Sequence, residues 1–152
     1  MTSQIPDVLI LDEAPLRLFS TPLQPWLAQQ RIDLRSGRLN SNCWRGYRAT
    51  WQIGLGRLIL LAVEPWGAPP EAWHGTRDIR ARISLEGLFP GSERPVHAIW
   101  FSGRLRCPVG AVVEQHFIGF ASQFEEELLF NVEQGQVRNV RTWRHFEPEM
   151  AA

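Results

Sequence analysis

The residues Tyr47-Arg48-Ala49-Thr50-Trp51-Gln52-Ile53, then Gly54-Leu55-Gly56, then Arg57-Leu58-Ile59-Leu60-Leu61-Ala62-Val63, decide the fold class. In the first run Tyr47, Ala49, Trp51 and Ile53 alternate with Arg48, Thr50 and Gln52. That is the two-residue period of a strand with one face buried. The second run is almost continuously apolar and predicts a strand buried on both faces. A short glycine turn between two such runs predicts a β-hairpin.

Working toward the N-terminus, Val8-Leu9-Ile10-Leu11 predicts a short strand and residues 16–19 a second one. Thr21 followed by Pro22 suits helix initiation, with Thr21 as the cap. Leu23, Trp26 and Leu27 then share one helical face, so residues 22–30 are expected to form a single short helix. Residues 32–42 are polar and turn-rich. Toward the C-terminus, residues 64–75 hold Pro, Gly and Trp without periodicity, which predicts a long surface loop of the kind often used for binding. Strands are expected over 78–85, 96–101, 104–107, 111–118, 127–133 and 137–144. The expected turns fall at 108–110 and at Gln134-Gly135-Gln136, and Ser102-Gly103 is either a turn or a bulge. The sum is an antiparallel β-sandwich or barrel of about ten short strands with one helix. It forms one domain over 1–147, followed by a frayed tail at 148–152.

Composition narrows the function classes. The chain has 152 residues, 16 basic and 16 acidic, so its formal net charge is zero. A nucleic-acid binder draws much of its affinity from a basic surplus, and a single-strand binder using an aromatic and arginine face is disfavoured on the same ground. All the basic residues are arginine, and seven tryptophans and eight phenylalanines accompany them. Arg and Trp are enriched at binding hot spots. Biased codon usage also yields an arginine-only chain, and β cores use tryptophan as filler. The first ten residues show no basic region followed by an apolar run, and no apolar stretch nears the roughly 20 residues of a membrane span. A cytoplasmic protein with no membrane partner is expected.

The motifs of catalysis are sparse. Cys43 and Cys107 are expected to be reduced thiols. Cys43 with His116 as base is the one nucleophile pair to consider, although free Cys is usually a core residue. His74, His97, His116 and His145 lack the spacing of a zinc site, so no metal and no cofactor are expected. No phosphate-binding loop, nucleophile elbow or calcium loop occurs. The run Glu125-Glu126-Glu127 can guard a sheet edge, pair with Arg138, Arg141 and Arg144, or cover a basic partner.

Three segments carry a resemblance: Cys43-Trp44-Arg45-Gly46-Tyr47-Arg48-Ala49-Thr50-Trp51, Leu88-Phe89-Pro90-Gly91, and Ala98-Ile99-Trp100-Phe101-Ser102-Gly103-Arg104-Leu105-Arg106. With Gly110, His116 and Gly119 they resemble a family of small, uncharacterised bacterial β-rich proteins, over residues 22–140. The resemblance implies a bacterial cytoplasmic protein and carries over no activity and no catalytic residue. Small families of this sort often prove to be immunity proteins. The leading expectation is therefore a protein-binding domain that neutralises an antibacterial toxin by occlusion, with Trp66, Trp73, Glu125, Glu126 and Glu127 at the contact. The alternative is a small-molecule-binding or enzymatic β-barrel with a pocket lined by Trp44, Trp100, Arg104 and His116.

Overall fold

A computed structural model describes residues 5–34, 45–65, 83–92, 95–114 and 123–144, with the backbone alone for 110–114 and 123–125. The expected mainly-β architecture is present. The strands are β1 (Asp7–Leu11), β2 (Ala14–Leu18), β3 (Tyr47–Gly54), β4 (Arg57–Pro65), β5 (Val96–His97), β6 (Gly103–Glu114), β7 (Gln123–Glu133) and β8 (Gln136–Arg144). Two helices, α1 (Gln24–Gln30) and α2 (Leu85–Leu88), complete the described elements. The strands form one sheet in the order β2-β1-β3-β4-β8-β7-β6, with β5 beside β4. All pairings are antiparallel except β1 with β3, where Val8, Leu9 and Ile10 run parallel to Thr50, Trp51 and Gln52.

The sheet is open, yet its two end strands meet. The Phe19 N–H donates to the Arg106 carbonyl at 2.7 Å. The Ser20 hydroxyl bridges β6 by donating to the Arg104 carbonyl and accepting from the Arg106 N–H. The other joint is equally narrow. β4 and β8 pair only at Arg57 and Gln136, supported by Leu58 N–H to the Gly135 carbonyl and Val137 N–H to the Gly56 carbonyl. The curled sheet therefore has two parts, β2-β1-β3-β4 and β8-β7-β6, touching at hairpin tips. Leu9, Tyr47, Trp51, Leu58, Leu60, Leu105 and Phe130 fill the space they enclose.

Three hairpins turn in the same way. The pairs Asp12-Glu13, Leu55-Gly56 and Gln134-Gly135 all have positive φ at both residues, as a two-residue type I′ turn requires to match strand twist. Several expectations need correction. The 57–63 strand is not buried on both faces: a register shift opposite Thr50 and Trp51 displaces Leu61 and leaves Ala62 exposed. The turn at 108–110 does not form. β6 runs through it: Pro108, which cannot donate to a ladder, still stands in register opposite Glu127, and the register shifts come after it, between Val109 and Glu114. In the segment 78–85, Ile83 and Leu85 are buried as expected, but Leu85 opens α2. The Ser84 hydroxyl caps that helix by accepting from the Gly87 N–H at 2.9 Å. Only Val96 and His97 of 96–101 form a strand, because the chain turns at Ile99 and Trp100.

Helix α1 begins two residues later than predicted, with Leu23 at its cap and no side-chain cap bond. The Gln24 N–H is taken instead by the Thr21 carbonyl at 3.1 Å.

Candidate functional site

β1 opens with Asp7, which the two-residue period places in phase with the buried Leu9. Its carboxylate is fully buried and lies just beyond the end of the β1–β3 parallel ladder. There one oxygen accepts the Ala49 N–H of β3 at 3.1 Å and the Arg45 guanidinium at 2.6 Å. The other oxygen accepts the Trp51 indole N–H at 3.0 Å. Burial pushes the Asp7 carboxyl upward, while the Arg45 charge and the three donors pull the other way. All three partners are donors, so the arrangement is complementary to a carboxylate. Arg45 also lies over the Tyr47 ring, 5.2 Å from its centroid.

A pocket of about 340 Å³ opens beside this cluster. One wall is a single face of α1: Gln24, Leu27, Ala28 and Arg31 follow the i, i+3, i+4, i+7 spacing of a helix stripe. The next wall is Ile32, Asp33 and Leu34, and Arg45 completes the lining. Arg31 adopts a left-handed conformation with φ 57°, which ends the helix and sends the chain along the pocket. The opposite side of α1 is anchored to the body. Trp26 stacks on Phe89 with centroids 4.2 Å apart, Phe89 stacks on Trp100, and the Trp100 indole donates to the Pro22 carbonyl at 2.8 Å.

The second candidate region is the β6-β7-β8 meander. Every residue of β8 from 138 to 144 is exposed. On one side β8 pairs with β7, and among the described residues its other edge pairs only at Gln136. Val140 stands opposite the buried Phe130, so it is on the face that continues the core, yet it is 52% exposed. Trp143 stands opposite Glu127 on the other face and is 54% exposed. One edge strand thus presents a large apolar side chain on each face.

Of the residues singled out in the sequence, Trp44, Trp66, Trp73, His116 and Cys43 lie outside the described residues. The acidic run falls inside β7 rather than ahead of it. Glu126 pairs with Arg144 at 3.1 Å. Glu127, on the opposite face, accepts from the Arg106 Nε at 2.7 Å, and Arg106 lies 5.3 Å over the Phe19 ring. Arg138 pairs with Glu133 at 3.5 Å. Trp100 belongs to the aromatic stack, whereas Arg104 is exposed and, next to the buried Leu105, points to the outer face of β6. The structure does not bring those two together. Cys107 is a free, buried thiol pushed up to about 12 by burial, which keeps it protonated.

The sequence reading missed Asp7, Arg45 and the helix face at the pocket. Asp7 carried a signal, an acid in phase with core positions; the partnership with Arg45, far along the chain, carried none. Among the described residues no group of three or more His, Cys, Asp or Glu could hold a metal ion, and no helix is long and apolar enough to cross a membrane. Comparisons with protein-family models, with curated proteins and with solved structures find no match.

Proposed function

We propose that the protein is a protein-binding domain that receives an extended, acidic segment of a partner along the edge of β8. The observation that carries this reading is the exposure of residues 138–144 on an edge strand that bears Val140 on one face and Trp143 on the other. An added strand completes the backbone hydrogen bonds of such an edge, and its alternate side chains flank both faces. Burying an exposed aromatic ring at a contact supplies much of the affinity.

Charge selects the partner. Arg138, Arg141 and Arg144 recur along the edge. If a second copy paired antiparallel about Arg141, Arg138 would face Arg144 and Arg141 would face itself, which is destabilising. An acidic strand meets the opposite situation, most directly at Arg141, since Arg138 and Arg144 already pair with Glu133 and Glu126. Arginines on an edge also discourage aggregation, but that role gives no reason for exposing Val140 and Trp143 beside them. The specific form of the proposal is an immunity protein that occludes the active surface of an antibacterial toxin.

The experiment is calorimetric binding to the secreted toxin domain encoded beside the gene, with wild type, Trp143→Ala and Arg141→Glu. Both variants are expected to weaken binding at least tenfold with an unchanged melting temperature. Wild-type affinity in both variants would overturn the edge as the interface. Absence of a toxin gene from the neighbourhood would overturn the immunity form.

A further inference from the structure

The register of β8 specifies more of the partner than an extended shape and negative charge. We infer that the segment it takes is a short strand with a single acidic residue set opposite Arg141, a β-branched residue opposite Val140 and an aromatic one opposite Trp143. This rests on the reading of β8 as a docking edge and adds that the position of one acid, not an acidic run, selects the partner.

The acid count follows from which arginines are already answered. Arg138 pairs with Glu133 at 3.5 Å and Arg144 with Glu126 at 3.1 Å. Arg141 is the arginine of β8 left without an ion pair among the described residues, and its cross-strand neighbour on β7 is the apolar Leu129. A strand added on the far side of β8 sets one residue directly across from Arg141, with Cβ atoms about 4.5–5.5 Å apart. A Glu at that place meets a free cation. Opposite Arg138 or Arg144 it meets a charge already neutralised. Opposite Trp143 it shares a face with Glu127, whose own cation, Arg106, is engaged at 2.7 Å.

The flanking positions follow from the pleat. Asn139, Arg141 and Trp143 stand opposite Asn131, Leu129 and Glu127 on the outer face. Val140 and Thr142 stand opposite Phe130 and Leu128, on the face that continues the core. Phe130 is buried while Val140 is exposed, so a β-branched residue across from Val140 extends that core by one strand. An aromatic residue across from Trp143 forms the ring pair that stabilises sheets. The segment is also bounded in length. The Val137 N–H is already taken by the Gly56 carbonyl and Gln136 pairs with Arg57, so β4 holds that end and the edge is open over 138–144. Antiparallel addition repeats the pairing of β8 with β7 and gives the slightly more stable ladder. The requirements then run, from N to C, as aromatic, any residue, acid, β-branched.

The test titrates synthetic hexapeptides into the full chain and reads the backbone amides of residues 139–144 with the Trp143 indole N–H. Thr-Tyr-Thr-Glu-Val-Thr carries the pattern. Thr-Tyr-Glu-Thr-Val-Thr has the same composition with the acid moved to the core face, and a one-residue slip that restores the acid would turn Tyr and Val to the wrong faces. Thr-Tyr-Thr-Gln-Val-Thr has no acid. The first peptide is expected to bind about threefold tighter, or more, than either of the others. A second acid, in Thr-Tyr-Glu-Glu-Val-Thr, is expected to add nothing. Arg141→Glu, a change at an exposed position, is expected to reverse the preference, so that Thr-Tyr-Thr-Lys-Val-Thr binds tighter than the Glu peptide. Equal affinity for the Glu and Gln peptides, or for the displaced acid, would overturn the single placed acid and leave β8 standing as a docking edge. A comparable further gain from the second acid would overturn the count of one. Concentration-dependent shifts of the same amides without peptide would give the edge to a second copy of the chain and overturn the foreign strand. No shift with any peptide would overturn the pattern, and the edge itself would then stand or fall by the toxin titration.

Discussion

Asp7 with Arg45 and Glu126 with Arg144 are both arginine–carboxylate pairs at hydrogen-bonding distance, 2.6 Å and 3.1 Å. They belong to the two parts of the same curled sheet, and they differ in everything except chemistry. The first is sealed, with side chains 7% and 0% exposed, and the carboxylate is held by two further N–H donors. The second stands in water, 57% and 39% exposed. In the β1–β4 part, charge is a structural element inside the core, and removing one member strands the other. In the β6–β8 meander, charge is a surface property that water and salt can replace. A short contact distance does not by itself identify a strong interaction; the surrounding solvent does.

The largest way to break this comparison is Asp7→Ala. It leaves the Arg45 cation uncompensated in the core, a loss of about 3–5 kcal/mol for a buried pair. Trp51 and Ala49 lose their acceptor as well. For a chain of this size the melting temperature should fall by roughly 6–20 °C. The double variant Asp7→Leu with Arg45→Met should recover much of that, because a buried pair and a well-packed apolar substitute are often close in free energy. Thermal unfolding of the three proteins checks both statements. A fall below about 1 kcal/mol for Asp7→Ala would place Asp7 in the same class as the surface pairs.

A medium effect is expected at the joint between the two parts. Gly135 has φ +77°, and a Cβ there would sit 2.6 Å from the Ala98 carbonyl oxygen and 2.7 Å from the His97 Nε2. The His97 ring meets the Gly135 carbonyl at 2.9 Å, and the Gly135 N–H donates to the Phe101 carbonyl. Gly135→Ala therefore combines left-handed strain with overpacking against backbone, and about 2–4 kcal/mol is expected. Gly56 is the matched control. It occupies the same position in the β3–β4 turn, φ +73°, with nothing within 4 Å of the place a Cβ would take. Gly56→Ala should cost only the conformational part, about 1–2 kcal/mol. Urea unfolding midpoints for the two variants separate the steric contribution from the conformational one. Equal shifts would mean that the β7–β8 turn does not press on the His97–Ala98 segment.

How much of this was readable beforehand depends on the range over which each signal acts. The β3–β4 hairpin was legible because alternation and a glycine turn are local, and Tyr47, Ala49 and Trp51 are buried as that alternation requires. The β7–β8 hairpin was legible for the same reason. Pro108-Val109-Gly110 misled because its turn chemistry was outweighed by pairing with β7, which carries the strand through a pair of bulges. Leu85 misled because Ile83, Leu85 and Leu88 fit two periods over a short stretch, and the Ser84 cap decides for the helix. The pocket was legible only in part. The face formed by Leu27 and its neighbours is periodic, but what stands across from it, Arg45, is placed by tertiary pairing of β1 with β3. Trp100 and Arg104 are close in sequence and were read together; Trp100 sits in the turn before β6 and joins the Trp26–Phe89 stack, whereas Arg104 is exposed on β6.

The smallest expected effect completes the comparison. Arg144→Gln removes the exposed partner of Glu126 without changing side-chain length much. Surface pairs typically contribute about 0–1 kcal/mol and are screened by salt. The expected loss is therefore below about 0.5 kcal/mol at low salt and vanishes near about 1 M. Arg144 stands directly opposite Glu126 in the β7–β8 register, at the end of the described strand. The pair orders little chain beyond itself. Glu126→Gln should match Arg144→Gln, and the double variant should lose no more than either alone if the only stake is the pair itself. The same cycle run on Asp7 and Arg45 should give a coupling several times larger and insensitive to salt. A salt-independent loss above about 1.5 kcal/mol in Arg144→Gln, beyond the range of surface pairs, would show that the distal meander is as tightly held as the core. β8 would then be a packed face in solution, and its exposed Val140 and Trp143 would no longer stand ready for a partner.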